Sequence, residues 1–240
     1  MTLSSRRQFL RQTSLGAAVL CVRHTRVIRA ARQVFEDRAQ DVAGSDAASM
    51  HKFASRISGH VIAPEMSDYD SSRLVFNRAF DRHPAVIVQC AVSSDVARAL
   101  DFAQTKNLQV AVRGGGHSRL GYGMCDGGVV IDLSALKRVE VDSNRRVARA
   151  QAGALVRNLD EATQRFGLAT TSGGCPTVGI AGLTLGDGEG RLMDKYGTAC
   201  DNLLSAQVVT VDGRQIEASQ KSNPDLFYGR FAAAAATSAW

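Results

Sequence analysis

Two short glycine-rich segments constrain what this chain can fold into. Residues 113–118 read Arg-Gly-Gly-Gly-His-Ser, and residues 172–179 read Ser-Gly-Gly-Cys-Pro-Thr-Val-Gly. Glycine runs are unfavourable inside helices and strands, and they leave backbone N–H groups free to converge on an anion. Arg113 is expected to add a fixed positive charge beside them. Because one segment also carries a histidine and the other a cysteine, the pair predicts an anion-binding site with two nucleophiles.

The sequence before the first segment predicts a strand–helix–strand unit. Residues 86–88 form a short β-branched run that is typical of a strand. Ser93 or Ser94 can cap a following helix. The expected apolar face of that helix consists of Val96, Ala99, Leu100 and Ala103. Residues 109–112 return as a strand, so the first glycine segment would lie at a strand's carboxyl end in a βαβ unit.

Further along the chain, the pattern predicts more strands and a second helix. Strands are expected at 129–133, 146–150 and 206–211, with Asp- and Gly-containing turns between them. The helix is expected to start at Gly153 and to stop at Gly167. Its expected apolar side consists of Leu155, Leu159, Ala162 and Phe166. The layout predicts an α+β fold with two small sheet-containing lobes and the glycine segments between them.

The positive charge of the chain is concentrated at its amino end. The net charge is +6, but residues 1–32 hold seven arginines and no acidic residue, which leaves 22 basic against 23 acidic residues elsewhere. The folded part therefore gives no sign of a nucleic-acid partner. Five cysteines without a C-x-x-C pair argue against a disulfide framework and against a zinc site. Cys125 and Cys200 are expected to be small buried or loop residues rather than reactive ones.

Residues 1–32 are interpreted as an export leader. Arg6 and Arg7, followed by Gln-Phe-Leu and an apolar run at 15–22, resemble a bacterial twin-arginine signal. We therefore expect recognition by the twin-arginine export machinery and a periplasmic or secreted location; a disordered basic tail is the alternative. No apolar run is long enough to span a membrane. Residues 33–60 are predicted to be a linker or a frayed helix, and 61–240 the folded domain.

The two glycine segments resemble those of FAD-linked oxidases of the vanillyl-alcohol oxidase / p-cresol methylhydroxylase superfamily, most closely the berberine-bridge-like branch. The resemblance runs from about residue 69 to residue 226 and includes the Val-Val-Ile-Asp-Leu run at 129–133. It implies a PCMH-type FAD-binding domain of two α/β lobes, with the FAD pyrophosphate on the first glycine segment. It also implies covalent bonds from His117 to the flavin 8α-methyl carbon and from Cys175 to flavin C6.

The resemblance also implies which residues contact the FAD. They are Arg113, Gly114, Gly115, Gly116, His117, Ser118, Cys175, Thr177, Val178, Gly179, Gly182, Gly186 and Gly190. The chain departs from the family pattern at Asp187, where the family usually has glycine; a carboxylate near a phosphate or flavin would be repulsive unless it faces solvent. No general base is assigned, and the titratable candidates are Tyr122, Tyr196, Asp126 and Asp201.

The function that the resemblance implies is that of an FAD-dependent oxidase. A small alcohol, sugar or similar C–H donor would give hydride to covalently bound FAD, and oxygen would accept the electrons. One alternative is a non-catalytic, FAD-binding remnant of such an oxidase. Another is a non-covalent dehydrogenase of the same superfamily, which the presence of Cys175 disfavours.

The end of the chain departs from the family sequence. After Asn-Pro-Asp-Leu-Phe at 223–227, relatives continue into Arg-Gly-Gly-Gly-Gly-Asn-Phe-Gly and a second domain that supplies the substrate pocket. Residues 232–240 instead read Ala-Ala-Ala-Ala-Ala-Thr-Ser-Ala-Trp. With suitable codons, one inserted base restores the family's sequence. We therefore expect a frameshifted tail and a missing substrate domain.

Overall fold

The computed structural model describes residues 47–229, which form a mixed α/β domain, as the sequence predicts. The predicted leader, residues 33–46 and the tail at 232–240 lie outside the described residues. The helices are α1 (Ala47–Ala54), α2 (Tyr69–Ser72), α3 (Ser93–Thr105), α4 (Val156–Gln164), α5 (Ile180–Leu185), α6 (Met193–Tyr196) and α7 (Pro224–Phe227). The strands are β1 (His60–Ile62), β2 (Val86–Gln89), β3 (Val110–Arg113), β4 (Val129–Asp132), β5 (Val139–Asp142), β6 (Val147–Ala150), β7 (Ser205–Val209) and β8 (Gln215–Ser219).

The largest sheet has four strands in the order β1-β2-β4-β3. Both β2 and β3 run parallel to β4, so that Val86 and Val110 each pair with Val129. The predicted strands of the βαβ unit are therefore parallel, but β4 lies between them. All four residues of β4 are buried, as expected for a parallel strand covered on both faces.

Side chains on the two faces of this sheet form two hydrophobic clusters. On one face, Val88 and Ile131 pack with Ala99 and Phe102 of α3. On the other face, Ile87 and Val130 belong to a second cluster. The predicted apolar side of α3 is confirmed, because Ala99 and Ala103 are buried and Val96 and Leu100 pack against the first cluster.

Residues 33–60 are predicted to be a linker or a frayed helix, and the part that the structure describes contains a packed helix. Residues 47–54 form α1, and Phe53 and Ile57 belong to the first hydrophobic cluster. The Phe53 ring stacks on that of Phe102, with centroids 4.1 Å apart. An alanine-rich, weakly patterned segment is therefore ordered by tertiary contacts that its own periodicity does not show.

Asp95 fixes the start of α3, which corrects the prediction that Ser93 or Ser94 caps it. The residue before the helix is Val92, and the Asp95 carboxylate accepts hydrogen bonds from the N–H groups of Ala91 and Val92. It also accepts N–H bonds from Ser58 and Gly59, at 2.9 and 3.1 Å. Burial raises the pKa of Asp95, but these hydrogen bonds outweigh it and hold the pKa below its usual value.

The remaining strands form two antiparallel pairs, β5 with β6 and β7 with β8. The sequence did not predict β5 or β8. The predicted apolar side of α4 is correct at Leu159 and wrong at Phe166, which is 52% exposed. The reason is that α4 ends at Gln164, and its inward side consists of Val156, Leu159 and Thr163.

Two further classes of feature are missing from residues 47–229. Over this range, none of the helices has the length and apolar character needed to span a bilayer. The same residues bring together no group of three or more His, Cys, Asp or Glu side chains that could hold a metal ion.

Candidate cofactor site

The two glycine segments contact each other backbone to backbone. The first begins where β3 ends, and the second lies between α4 and α5. A Cβ atom on Gly115 would lie 2.3 Å from the backbone N of Gly179, and one on Gly179 would lie 2.4 Å from the backbone N of Gly115. The second segment is also held against α4, because the Val156 N–H donates to the Val178 carbonyl at 2.9 Å. Glycine is therefore required at both contact positions.

This contact brings the two predicted nucleophiles to one hydroxyl group. Thr177 Oγ1 lies 3.0 Å from His117 Nε2 and 3.3 Å from Cys175 Sγ. The Phe76 ring stacks on the His117 imidazole, with centroids 4.2 Å apart and planes inclined by 18°. The imidazole is thus held on one face and at one nitrogen. The predicted proximity of His117 and Cys175 is confirmed in the structure.

Cys175 differs from the other cysteines that the structure describes. It is exposed, and its hydrogen bonds with Thr177, from the hydroxyl and the backbone, lower the pKa of the thiol below its usual value. By contrast, burial raises the pKa of Cys90 to about 12 and that of Cys125 to about 11. Cys125 and Cys200 are buried as predicted. Because the thiolate is the reactive form, Cys175 is chemically the most competent of the four.

The side chain of Arg113 does not take the predicted role beside the glycine backbone. Its guanidinium donates to the Asp132 carboxylate at 2.7 Å and to the Ser72 carbonyl. The Arg113 and Asp132 side chains are only 10% and 1% exposed. This prediction is wrong because Asp132 is buried at the end of β4, the strand next to β3, and a buried carboxylate needs a cationic partner. The Arg113 side chain is that partner.

The backbone of the first glycine segment nevertheless fits an anion. None of the N–H groups from Gly114 to Ser118 donates a hydrogen bond to another residue in the described range. Gly114 and Gly115 line an open cavity of about 510 Å³, together with His117 and Thr177. Unpaired backbone donors on a concave, side-chain-free surface are the feature that cradles phosphate groups. The residues present therefore fit the diphosphate of a dinucleotide.

Three cationic side chains that the sequence did not single out line the same cavity. They are Arg78, Lys137 and Arg157, and no Asp or Glu of the described residues lines it with them. They come from the loop after α2, from the loop after β4 and from the first turn of α4. No local motif connects positions so far apart, and the near-neutral charge of the folded part conceals them. Phe76 was also missed, because no local motif connects it with the glycine segments.

The other residues that were predicted to contact FAD do not line this cavity. Gly182 has open space around its missing side chain, and Gly186 has no neighbour closer than 3.6 Å. A Cβ on Gly190 would lie 1.9 Å from the Ser172 carbonyl oxygen, so packing against this backbone explains that glycine. Ser118 accepts a hydrogen bond from the Tyr122 N–H at 3.1 Å. Gly116 and Val178 flank the residues that do line the cavity.

Asp187 is unfavourable for the stability of the fold in two ways. Its φ of 72° lies in the left-handed region, where glycine is preferred. Its Oδ1 atom is buried and has no hydrogen-bond partner among the described residues. The carboxylate therefore does not point wholly to solvent, and the position is one where glycine would fit better.

The four candidate bases do not converge on the cavity. Asp126 forms an ion pair with Arg82 at 2.8 Å, and Asp201 accepts hydrogen bonds from the Thr198 hydroxyl and N–H. Tyr122 and Tyr196 are 69% and 54% exposed and do not line it. None of the four is assigned a catalytic role.

The fold and the site define a domain that binds a dinucleotide cofactor through a glycine-lined cleft. Residues 84–219 match the FAD binding domain family. The chain is 37% identical over 172 residues to (R)-6-hydroxynicotine oxidase of Paenarthrobacter nicotinovorans, covering 72% of this chain and 38% of that one. The chain therefore belongs to the family of FAD-binding domains of the vanillyl-alcohol oxidase / p-cresol methylhydroxylase type, as the resemblance implied.

Solved structures show the same similarity. The 6-hydroxy-D-nicotine oxidase from Arthrobacter nicotinovorans superposes with a TM-score of 0.72 at 37% identity, covering 73% of this chain and 39% of that one. Glucooligosaccharide oxidase from Acremonium strictum superposes with a TM-score of 0.70 at 31% identity, covering 75% and 38%, and its FAD is described as 6-S-cysteinyl, 8α-N1-histidyl. The chain spans about two-fifths of the length of these relatives.

Proposed function

We propose that this chain is the FAD-binding part of an oxidase and carries FAD bonded to His117 and Cys175. The observation that carries the proposal is the shared hydroxyl of Thr177, which lies 3.0 Å from the imidazole and 3.3 Å from the thiol. A solved relative whose FAD is described as both cysteinyl and histidyl supports the same pairing.

His117 is oriented for bonding through one particular nitrogen. Its Nε2 is engaged by Thr177, and Phe76 covers a face of the ring. Nδ1 has no hydrogen-bond partner among the described residues and is the nitrogen left for the cofactor. The neutral imidazole is the nucleophilic form, and its unprotonated nitrogen is the one that can bond to carbon.

Cys175 is prepared for bonding by its hydrogen bonds. The Thr177 hydroxyl and the Thr177 and Val178 N–H groups lower the pKa of the thiol, which raises the thiolate fraction at neutral pH. One threonine thus fixes the orientation of the imidazole and favours the reactive form of the sulfur.

When bound, FAD supplies the redox chemistry by accepting hydride from a substrate C–H bond and passing electrons to oxygen, with hydrogen peroxide as product. The chain's own residues bind and orient it. The glycine backbone provides donors for the diphosphate, and two covalent bonds would hold the ring in one position. An alcohol, a sugar or a similar C–H donor is the proposed substrate class.

Acid precipitation tests the covalent attachment. The wild-type pellet should be yellow and fluorescent, whereas the pellet of His117→Ala combined with Cys175→Ala should be colourless. Each single variant should keep one bond and therefore keep colour, and His51→Ala, an exposed histidine on α1, should behave as wild type. A yellow pellet from the double variant would refute the assignment. Peroxide release with candidate alcohols and sugars then separates an oxidase from a flavin carrier.

Export is proposed separately, from Arg6 and Arg7. Replacing both with lysine should leave the protein in the cytoplasm of a bacterial host with a twin-arginine pathway. Fractionation of cells that carry the wild-type and variant chains measures this, and unchanged export of the variant would refute the proposal.

A further inference from the structure

We propose that Arg78, Lys137 and Arg157 form a cationic clamp for the cofactor's diphosphate, which rests on the proposed function of the site as an FAD site. The three residues line the cavity beside Gly114 and Gly115. They take the role that the sequence assigned to Arg113, whose guanidinium is held by Asp132 and Ser72.

The charge balance of the cavity supports an anionic occupant. Its lining holds three cations and no carboxylate. Among the described residues, none of these three side chains forms an ion pair, whereas Arg73, Arg82, Arg98, Arg113, Arg138 and Arg214 do. Three unpaired cations around one concavity repel each other. A diphosphate, with about two negative charges, offsets that repulsion and accepts hydrogen bonds from each of them.

The amino end of α4 contributes through a side chain rather than through its backbone. The N–H groups of Leu155, Val156 and Arg157 already donate to Asn158 Oδ1, to Val178 and to Pro176. The backbone donors left for the anion are those of the first glycine segment. Arg157 therefore adds charge to the cavity through its side chain, beside the segment's own N–H groups.

The clamp is tested by binding of ADP, which carries a diphosphate and no flavin. The full chain with His117→Ala and Cys175→Ala provides a background from which FAD dissociates. In that background, Arg78→Gln, Lys137→Gln and Arg157→Gln should each weaken ADP binding about two- to fivefold, and the triple variant about tenfold to a hundredfold. Arg145→Gln removes an exposed arginine from the turn after β5 and should leave the Kd unchanged.

Three further measurements distinguish a charge effect from a structural one. The loss of affinity in the triple variant should shrink as salt is raised, because screening weakens the three ion pairs to ADP that only the background chain can form. Binding of riboflavin, which lacks phosphate, should be the same with and without the three cations. Thermal unfolding of each variant should match the background, since all three side chains are exposed.

The clamp and the covalent attachment can fail independently. An unchanged ADP Kd in the triple variant, or an equal loss of riboflavin binding, would overturn the clamp even if the wild-type pellet is yellow. A colourless wild-type pellet together with salt-sensitive ADP binding that needs the three cations would overturn the covalent attachment and leave the clamp standing.

Discussion

Replacing Gly115 with alanine should separate the two glycine segments. The new Cβ atom would lie 2.3 Å from the backbone N of Gly179 and 2.8 Å from its Cα. Both neighbours are backbone atoms and cannot rotate away, so the segments must move apart. Overpacking of this kind costs about 1–3 kcal/mol, and each kcal/mol lowers the Tm of a domain of this size by about 2–4 °C.

The matched control for Gly115→Ala is Gly182→Ala. Apart from its chain neighbours and the backbone of its own helix, no atom lies within 4 Å of the Cβ position at Gly182, which is inside α5. Alanine is favoured over glycine in a helix by about 1 kcal/mol, so this variant should be as stable as wild type or slightly more stable. Chemical denaturation of the full chain measures the free energy of unfolding of both variants.

The separation of the segments should also appear at the cofactor site. Moving Thr177 relative to His117 breaks the 3.0 Å contact that orients the imidazole, so Gly115→Ala should retain less flavin after acid precipitation. A variant with wild-type stability and wild-type colour would show that the backbones are not in contact and would refute the reasoning.

Three other changes test single interactions. Thr177→Val removes the hydroxyl that lowers the pKa of Cys175, so alkylation of Cys175 in the flavin-free chain should need higher pH. Buried Cys90 should stay unmodified. An unchanged pH profile of alkylation would contradict this. Asp95→Asn should cost about 2–4 kcal/mol at neutral pH. Because the folded pKa of Asp95 is depressed, this stability is present above the unfolded pKa of about 3.9 and is lost as pH falls through the folded pKa. Denaturation curves of wild type and variant should therefore converge only in acid. Asp187→Gly should raise the free energy of unfolding by about 1–2 kcal/mol, because it removes a left-handed non-glycine residue and a buried oxygen without a partner; a loss of stability would argue for an unseen partner of that carboxylate.

Local sequence carried the prediction of most elements. The β-branched runs of β2 and β4 were recognised because strands covered on both faces are continuously apolar. The pattern of α3 was recognised because one face of the helix packs on the sheet, which imposes a helical period. The pattern failed where a different contact decides the structure. Residues 47–54 form a helix whose Phe53 stacks on Phe102, and α4 ends before Phe166 can be buried.

The sequence by itself determined which chemical groups are available: two glycine segments, an imidazole at His117 and a thiol at Cys175. Only the tertiary structure decided which of them act together. Gly115 touches Gly179, Arg113 turns inward to Asp132, and three cations from two loops and one helix meet at one cavity. These outcomes depend on contacts between residues distant in the chain, and the partner of a buried charge is set by whichever opposite charge the fold places beside it.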